Sequence, residues 1–348
     1  MTTCIATQST TQTNRHTLKD CGIMEKGNTK ITYKQAMTDA HKEEMLRDER
    51  VIVMGEDIVL HGNSELIGMF DSKRIWNTPI SENAFTGMAV GAAMTGLRPV
   101  VDLTVASFTY LASDQIINQA SKLRYMTGGQ MQVPAVFRCC MYYNLGMAAQ
   151  HSDRPYSMFM NSPGLKILLP SSPANMKGLL KSAIRDNDPV LIFEDVNLWD
   201  QEEWVSTDPE VLIPIGEAEI KRQGTDITIV AIGATLNVVL EAAQVLETQG
   251  ISAEVIDPRT LVPLDTETLI TSVRKTGRLI IVDNAHRTAS IGSEIAAIIV
   301  EKAFKFLRAP IQRVTTPDVH VPYSPTLEAL VYPKCSDILG TVNVLINY

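Results

Sequence analysis

Residues 79–105 read PISENAFTGMAVGAAMTGLRPVVDLTV. Pro79-Ile80 closes an extended run, Glu82 opens a helix that continues to Gly96, and Arg98 to Val105 is an apolar strand. Strand end, helix and strand in that order form a βαβ unit, which needs parallel strands and a helix laid across the sheet. The same alternation extends both ways. Upstream, Thr32 to Asp48 reads as a helix with Ala36, Met37, Ala40 and Met45 as its apolar side. Val51-Ile-Val-Met54 then reads as a short buried strand running into Gly55-Glu-Asp57. Downstream come a helix from Leu111 to Tyr125, strands at Pro134 to Arg138 and Leu165 to Leu169, a helix from Pro173 to Arg185 and a strand at Val190 to Phe193.

A polar stretch, Trp199 to Pro214, separates this series from a second. The second has strands at 226–232, 253–256, 278–282 and 311–314, with helices at 236–249, 264–275 and 291–306. The expected fold is therefore α/β: a mostly parallel sheet over residues 30–205, then a smaller α/β domain over 206–348. Residues 1–29, rich in Thr and Gln, read as a disordered polar tail. Arg15 and Lys19, with no acid among the first 19 residues, leave a transit-peptide composition as the second reading.

Composition excludes several classes. Of 348 residues, 45% are hydrophobic and 20% charged, which is ordinary for a globular chain. A formal net charge of −8 speaks against binding nucleic acid or an anionic membrane surface. No apolar run is long enough to span a bilayer. The five cysteines, Cys4, Cys21, Cys139, Cys140 and Cys335, are odd in number and lack C-x-x-C spacing. They read as reduced thiols of a cytoplasmic protein.

The common catalytic signatures are missing: there is no G-x-G-x-x-G, Walker A, G-x-S-x-G or H-E-x-x-H. Two residues stand out. Glu82 sits where open α/β sheets place ligands, although a carboxylate also simply complements a helix N-terminus. His151, in Ala148-Ala-Gln-His-Ser-Asp153, lies in a loop after the strand ending at Arg138, where a histidine is commonly just hydrogen-bonded.

Ordered blocks give these two residues a context. They are Val53-Met-Gly-Glu-Asp-Ile58, Asn77-Thr-Pro-Ile-Ser-Glu82, Ala89-Val-Gly-Ala-Ala-Met-Thr-Gly-Leu-Arg-Pro99, Asp114-Gln-Ile-Ile-Asn-Gln-Ala120, Ala149-Gln-His-Ser152, Ser162-Pro-Gly-Leu-Lys166, Asp257-Pro-Arg-Thr-Leu261 and Val321-Pro-Tyr-Ser-Pro325. With these the chain, from about residue 30 to 340, resembles the β subunit of the thiamine-diphosphate-dependent 2-oxo acid dehydrogenase, the decarboxylating component of pyruvate and branched-chain 2-oxo acid dehydrogenase complexes. The resemblance implies a transketolase-like pyrimidine-binding domain followed by the transketolase C-terminal domain. It implies oxidative decarboxylation of a 2-oxo acid with acyl transfer to a lipoyl group.

The resemblance also implies the parts. Glu82 would face N1′ of the aminopyrimidine and share a proton with it, so that the 4′-imino nitrogen can take the C2 proton. Phe108 would pack on the pyrimidine, with plain core packing as its other reading, and Ile80 would adjoin the cofactor. His151 would lie near the reacting centre. Ala135, Ala183, Ile184, Asp186 and Asp188 fall on the positions of a structural K⁺. No G-D-G motif occurs in the chain, so the diphosphate and Mg²⁺ would be held by a separate α subunit in an α2β2 heterotetramer. A lipoyl acyltransferase core would be a further partner.

Three departures surround the expected entrance. Residues 58–70 are a shortened form of a longer Gly-rich stretch, and Asp153-Arg-Pro-Tyr156 replaces the usual residues after His-Ser. Cys139-Cys-Met-Tyr-Tyr-Asn-Leu145 stands where small residues are usual, so Tyr142 and Tyr143 should narrow the cavity beside His151. The altered segment keeps a second reading open: a thiamine-diphosphate-dependent carboligase that makes an acyloin, or a specialised subunit with a different acyl acceptor.

Overall fold

The fold is seen in a computed structural model that describes residues 27–58 and 64–348. The expected tail lies outside the described residues as far as position 26, as do residues 59–63 of the shortened segment. The first domain runs β1 (Asn28–Thr32), α1 (Tyr33–Arg47), β2 (Val51–Gly55), α2 (Ser64–Met69), β3 (Ile75–Asn77), α3 (Glu82–Met94) and β4 (Arg98–Val105). It continues α4 (Ser121–Met126), β5 (Val136–Met141), α5 (Ala148–His151), α6 (Tyr156–Met160), β6 (Lys166–Leu168), α7 (Pro173–Arg185), β7 (Val190–Asp195) and β8 (Glu202–Ser206). The second runs β9 (Glu219–Arg222), β10 (Ile227–Ala231), α8 (Thr235–Thr248), β11 (Ala253–Asp257), β12 (Thr260–Val262), α9 (Thr266–Thr276), β13 (Leu279–His286), α10 (Ile291–Ala303), β14 (Gln312–Thr316), α11 (Pro325–Glu328) and α12 (Cys335–Ile346).

The first sheet has seven strands in the order β12-β6-β7-β5-β4-β2-β3, parallel except for β12. Its strands are apolar on both sides because helices cover both faces. Val51 and Val53 of β2 join the core formed with Tyr33, Met37 and Ala40 of α1 and Leu179 and Leu180 of α7. Ile52 and Met54, one residue out of phase, join Phe85, Ala89 and Ala93 of α3 on the opposite face. Helix starts follow side-chain chemistry. Thr32 caps α1 through the Gln35 N–H at 3.1 Å, and Ser172 caps α7 ahead of Pro173. The second sheet, β14-β13-β10-β11-β9, is parallel except for β9.

Four features differ from the expected elements. β1 begins at Asn28 and pairs antiparallel with β8, so the last residues assigned to the tail are ordered by a partner about 175 positions away. β12 comes from the second half of the chain yet closes the edge of the first sheet against β6. The helix expected over 111–125 is a 3₁₀ turn at 106–110, a π turn at 115–120 and then α4. Gln115 lies there against Gly87 of α3, where an added Cβ would meet its side-chain oxygen at 2.9 Å. Finally, α12 closes the chain and packs Ile338, Val342 and Leu345 on the second core. Among the described residues no helix is long and apolar enough to cross a membrane.

Charges lie deep in the first domain. Arg138 on β5 donates from Nη1 to Asp102 on β4 at 2.9 Å and from Nε and Nη2 to Glu194 on β7 at 2.7 and 2.9 Å. All three residues are buried. The cation also bears on His41 of α1, whose pKa is pushed down to about 3 by burial first and by Arg138 second.

Candidate active site

The chain leaves β2 for β3 on one side and for β4 on the other. Beyond the carboxyl ends of parallel strands, such a reversal opens a crevice. Glu56 follows β2, Glu82 begins α3, Thr104 and Val105 end β4 with Ser107 and Phe108 in the 3₁₀ turn after it, and His151 ends α5 beyond β5.

Close backbone approach builds the floor. At Gly55 an added Cβ would stand 2.2 Å from the carbonyl oxygen of Asp102, so only glycine lets β2 and β4 meet there. Thr104 adopts φ 62° at an irregularity in the β4–β5 pairing, held by its N–H donating to Asp102 Oδ1 at 2.9 Å. This kink turns the chain into the 3₁₀ turn that carries Ser107 and Phe108.

The expected site residues converge in part. Glu82 is the first residue of α3 and only 7% exposed, so its carboxylate sits at the positive end of the helix inside the crevice. Ser107 Oγ donates to the Gln150 carbonyl at 2.5 Å, tying the end of β4 to α5. That tie brings Phe108 and His151 together edge-to-face, with ring centroids 5.6 Å apart. Ile80 is 77% exposed in the β3–α3 loop, so within this chain it faces outward beside the crevice. His151 lies not in an open loop but at the end of a helical turn, because β5 runs three residues beyond Arg138.

Glu56 went unassigned in the sequence. It is buried, and neither carboxylate oxygen has a hydrogen-bond partner. Its pKa is pushed up to about 7, first by burial, then by the charges of Glu82, Asp57 and Asp102. The available signal was its position: a carboxylate directly after a strand apolar on both faces. An acid raised in the folded state makes the folded chain hold more protons than the unfolded one between about pH 4.5 and 7. Stability contributed by Glu56 therefore falls as pH rises through that window and is flat below it. Glu56→Gln should melt higher than wild type at pH 8 and show a shallower decline from pH 5 to 8. Parallel pH–melting curves for the two proteins would refute the assignment.

The bulky segment 139–145 straddles the end of β5. Cys139, Cys140 and Met141 are buried within β5. The Tyr143 ring meets Tyr332 of the second domain edge-on at 5.5 Å, with the Arg154 guanidinium 5.4 Å from its centroid. Arg154 itself is anchored to Asp195 at 2.6 Å. Tyr143 is thus engaged in the domain contact, and Tyr142 beside it is half-buried.

The atoms expected to hold K⁺ gather at the corner between α7 and β7, and each has a partner within the chain. Ala135 O accepts from Val190 N at 3.0 Å and Ala183 O from Asp186 N at 3.2 Å. Arg98 Nη1 donates to Ile184 O at 2.9 Å and to Asp186 O at 2.8 Å. Lys166 pairs with Asp186 at 2.5 Å, and Arg124 pairs with Asp188. The carbonyls keep a second lone pair, whereas both carboxylates already face cations. Among the described residues no group of three or more His, Cys, Asp or Glu side chains is placed to hold a metal. A cleft of about 590 Å³ between α6, β12 and the start of α10 includes neither Glu82 nor His151.

Crevice and fold together define a two-domain α/β protein of the transketolase type. The model of the transketolase pyrimidine-binding domain matches residues 29–200, and that of the transketolase C-terminal domain matches 216–338. The chain belongs to the family of 2-oxo acid dehydrogenase E1 β subunits, which are built from these two domains. It is 42% identical over 334 residues to the β subunit of acetoin:2,6-dichlorophenolindophenol oxidoreductase of Bacillus subtilis, covering 91% of this chain and 97% of that one. It is 42% identical over 325 residues to the pyruvate dehydrogenase E1 β subunit of Rickettsia felis, covering 91% and 99%. Among solved structures, a split-gene transketolase described as an inactive β4 tetramer superposes with a TM-score of 0.75 at 23% identity, over 91% of this chain and 98% of that one. A transketolase mutant from Pichia stipitis gives 0.66 at 13% identity, over 93% and 46%. These last two bear on the fold alone.

Proposed function

We propose that this chain is the β subunit of a thiamine-diphosphate-dependent 2-oxo acid dehydrogenase, carrying out oxidative decarboxylation with acyl transfer to a lipoyl group. The observation that carries the reading is Glu82, nearly buried at the start of α3 and close enough to Glu56 to raise its pKa, with the Phe108–His151 ring pair beyond β4 and β5 at the same, carboxyl-terminal end of the sheet. The residues suit the aminopyrimidine end of the cofactor: a nearly buried carboxylate for a ring nitrogen and a half-buried aromatic ring to pack on it. Thiamine diphosphate, when bound, supplies the electron sink for loss of CO₂.

In this reading Glu82 holds a proton against the pyrimidine ring nitrogen and fixes the tautomer. Phe108 orients the ring, with Ile80 beside it. His151 offers a hydrogen bond at the reacting centre, where the carboxylate of the 2-oxo acid or the incoming lipoyl group would lie. Glu56, its pKa pushed up to about 7 by burial and by the charges of Glu82, Asp57 and Asp102, is the second carboxyl group beside Glu82.

The diphosphate and Mg²⁺ fall to an α subunit, in an α2β2 assembly that also engages a lipoyl acyltransferase core. The three described cysteines are free thiols, in keeping with a cytoplasmic protein. A structural K⁺ at the α7–β7 corner would be held by carbonyls. A melting temperature higher in KCl than in tetramethylammonium chloride at equal ionic strength supports it; identical melting would mean that Arg98, Lys166 and Arg124 suffice.

A second reading is favoured by the acetoin-named relative, which matches as well as the pyruvate dehydrogenase subunit. There an acyloin takes part, as donor or product, or the acyl acceptor differs. One experiment tests both. The chain is expressed alone and with candidate α subunits, native mass and bound thiamine diphosphate are measured, and the pair is assayed with 2-oxo acids and acyloins, with and without lipoamide. A heterotetramer holding cofactor only as a pair is expected. A homodimer that binds cofactor unaided would overturn the split site.

A further inference from the structure

The loop that leads from β5 to His151 is not in a conformation it would hold by itself. Asn144, Gly146 and Ala148 have φ of 55°, 67° and 55°. Left-handed backbone is disfavoured for the two residues that carry a Cβ, so three such positions in five need outside support. The first domain supplies it at the two ends. Asn197 Nδ2 donates to Tyr143 O at 3.0 Å, and Ser107 Oγ donates to Gln150 O at 2.5 Å. The middle is held from the second domain. The Gly146 N–H donates to Glu328 Oε2 at 2.8 Å, and the Tyr332 ring meets Tyr143 edge-on.

Glu328 is a costly residue to place there. It is 0% exposed, at the end of α11, and its Oε1 has no hydrogen-bond partner. A buried carboxylate with one oxygen unsatisfied persists only where the bond made by the other oxygen matters. Nothing in the second core requires it, since α11 is a single turn and the neighbouring Leu327 and Leu330 are exposed.

We propose that Glu328 is a positioning residue: from the second domain it clamps Gly146 and so fixes the loop that presents His151 to the crevice. The catalytic half of this statement rests on the role given to His151 above. The clamp itself does not.

Amide hydrogen exchange of the full chain, without partner or substrate, reads the clamp directly. In wild type the Gly146 amide should exchange at least about tenfold more slowly than its unstructured rate, as a hydrogen bond to a carboxylate implies. Glu328→Ala should speed exchange over residues 144–151 about tenfold and leave β2 and β4 unchanged. Glu328→Gln, whose side-chain carbonyl can accept the same N–H, should stay near wild type. A wild-type Gly146 amide exchanging at the unstructured rate overturns the proposal without any variant, should Glu328→Ala fail to fold. In the assembled enzyme Glu328→Ala should lower kcat about tenfold or more with KM little changed, and Glu328→Gln should restore it. A loosened loop with unchanged kcat would overturn the positioning role. Absence of any thiamine-dependent turnover in wild type would instead defeat the proposed function, with exchange still judging the clamp.

Discussion

Glu82→Gln is expected to lower kcat of the assembled enzyme by roughly 10²–10⁴-fold, the usual worth of a positioned proton-transfer group. The amide keeps the size and the place of the carboxylate but cannot share a proton with a ring nitrogen in the same sense. Stability should move little, because the helix-terminus interaction that is lost contributes at most about 2 kcal/mol even for a group as buried as Glu82. The pair of readouts separates catalysis from architecture: turnover collapses while the melting temperature stays within a few degrees. A Glu82→Gln enzyme with turnover within threefold of wild type would remove Glu82 from the chemistry. Glu82 would then be simply a carboxylate complementing the start of α3.

The second large effect is structural. Arg138→Leu leaves Asp102 and Glu194 facing each other across β5 without the cation that now bonds both. Breaking a buried ion pair by removing one partner costs roughly 3–5 kcal/mol, since an uncompensated charge stays behind. Urea unfolding of the chain should show a loss of that size. Adding Asp102→Asn and Glu194→Gln to the same protein should recover much of it, because the stranded charges are gone. A single Arg138→Leu variant losing under 1 kcal/mol would mean that the two carboxylates are protonated or solvated after all. The damage should also reach the crevice, since Asp102 holds the Thr104 N–H at the kink that delivers Phe108.

These predictions draw on different depths of the sequence. Glu82 was legible because its neighbours form a local grammar: Pro79-Ile80 ends an extended run, Ser81 precedes a helix, and an acid opens that helix. The sequence around His151 marks only a loop histidine, and the resemblance alone gives it a role; its place at the end of α5 is not readable locally because the length of β5 is set by pairing with β4 and β7. Glu56 was passed over. Its raised pKa comes from burial and three carboxylates, two of them far along the chain, and no window of sequence contains that environment. The ions around the α7–β7 corner were likewise invisible: Arg98 reaches Ile184 and Asp186 across more than 80 residues.

By itself the sequence determined the alternation of strand and helix through most of both domains, the burial of the central strands and the place of Glu82 at a helix start, because each follows from the periodicity of neighbouring side chains; it did not mark β1, β12 or α12. Tertiary structure alone decided that β1 pairs with β8, that β12 closes the first sheet, that Tyr143 meets Tyr332 and that Glu328 holds Gly146. Each of these joins residues more than 90 positions apart: β1 meets β8 only when the first domain closes on itself, and the other three meet only when the two halves of the chain pack, so no pattern along the chain contains them.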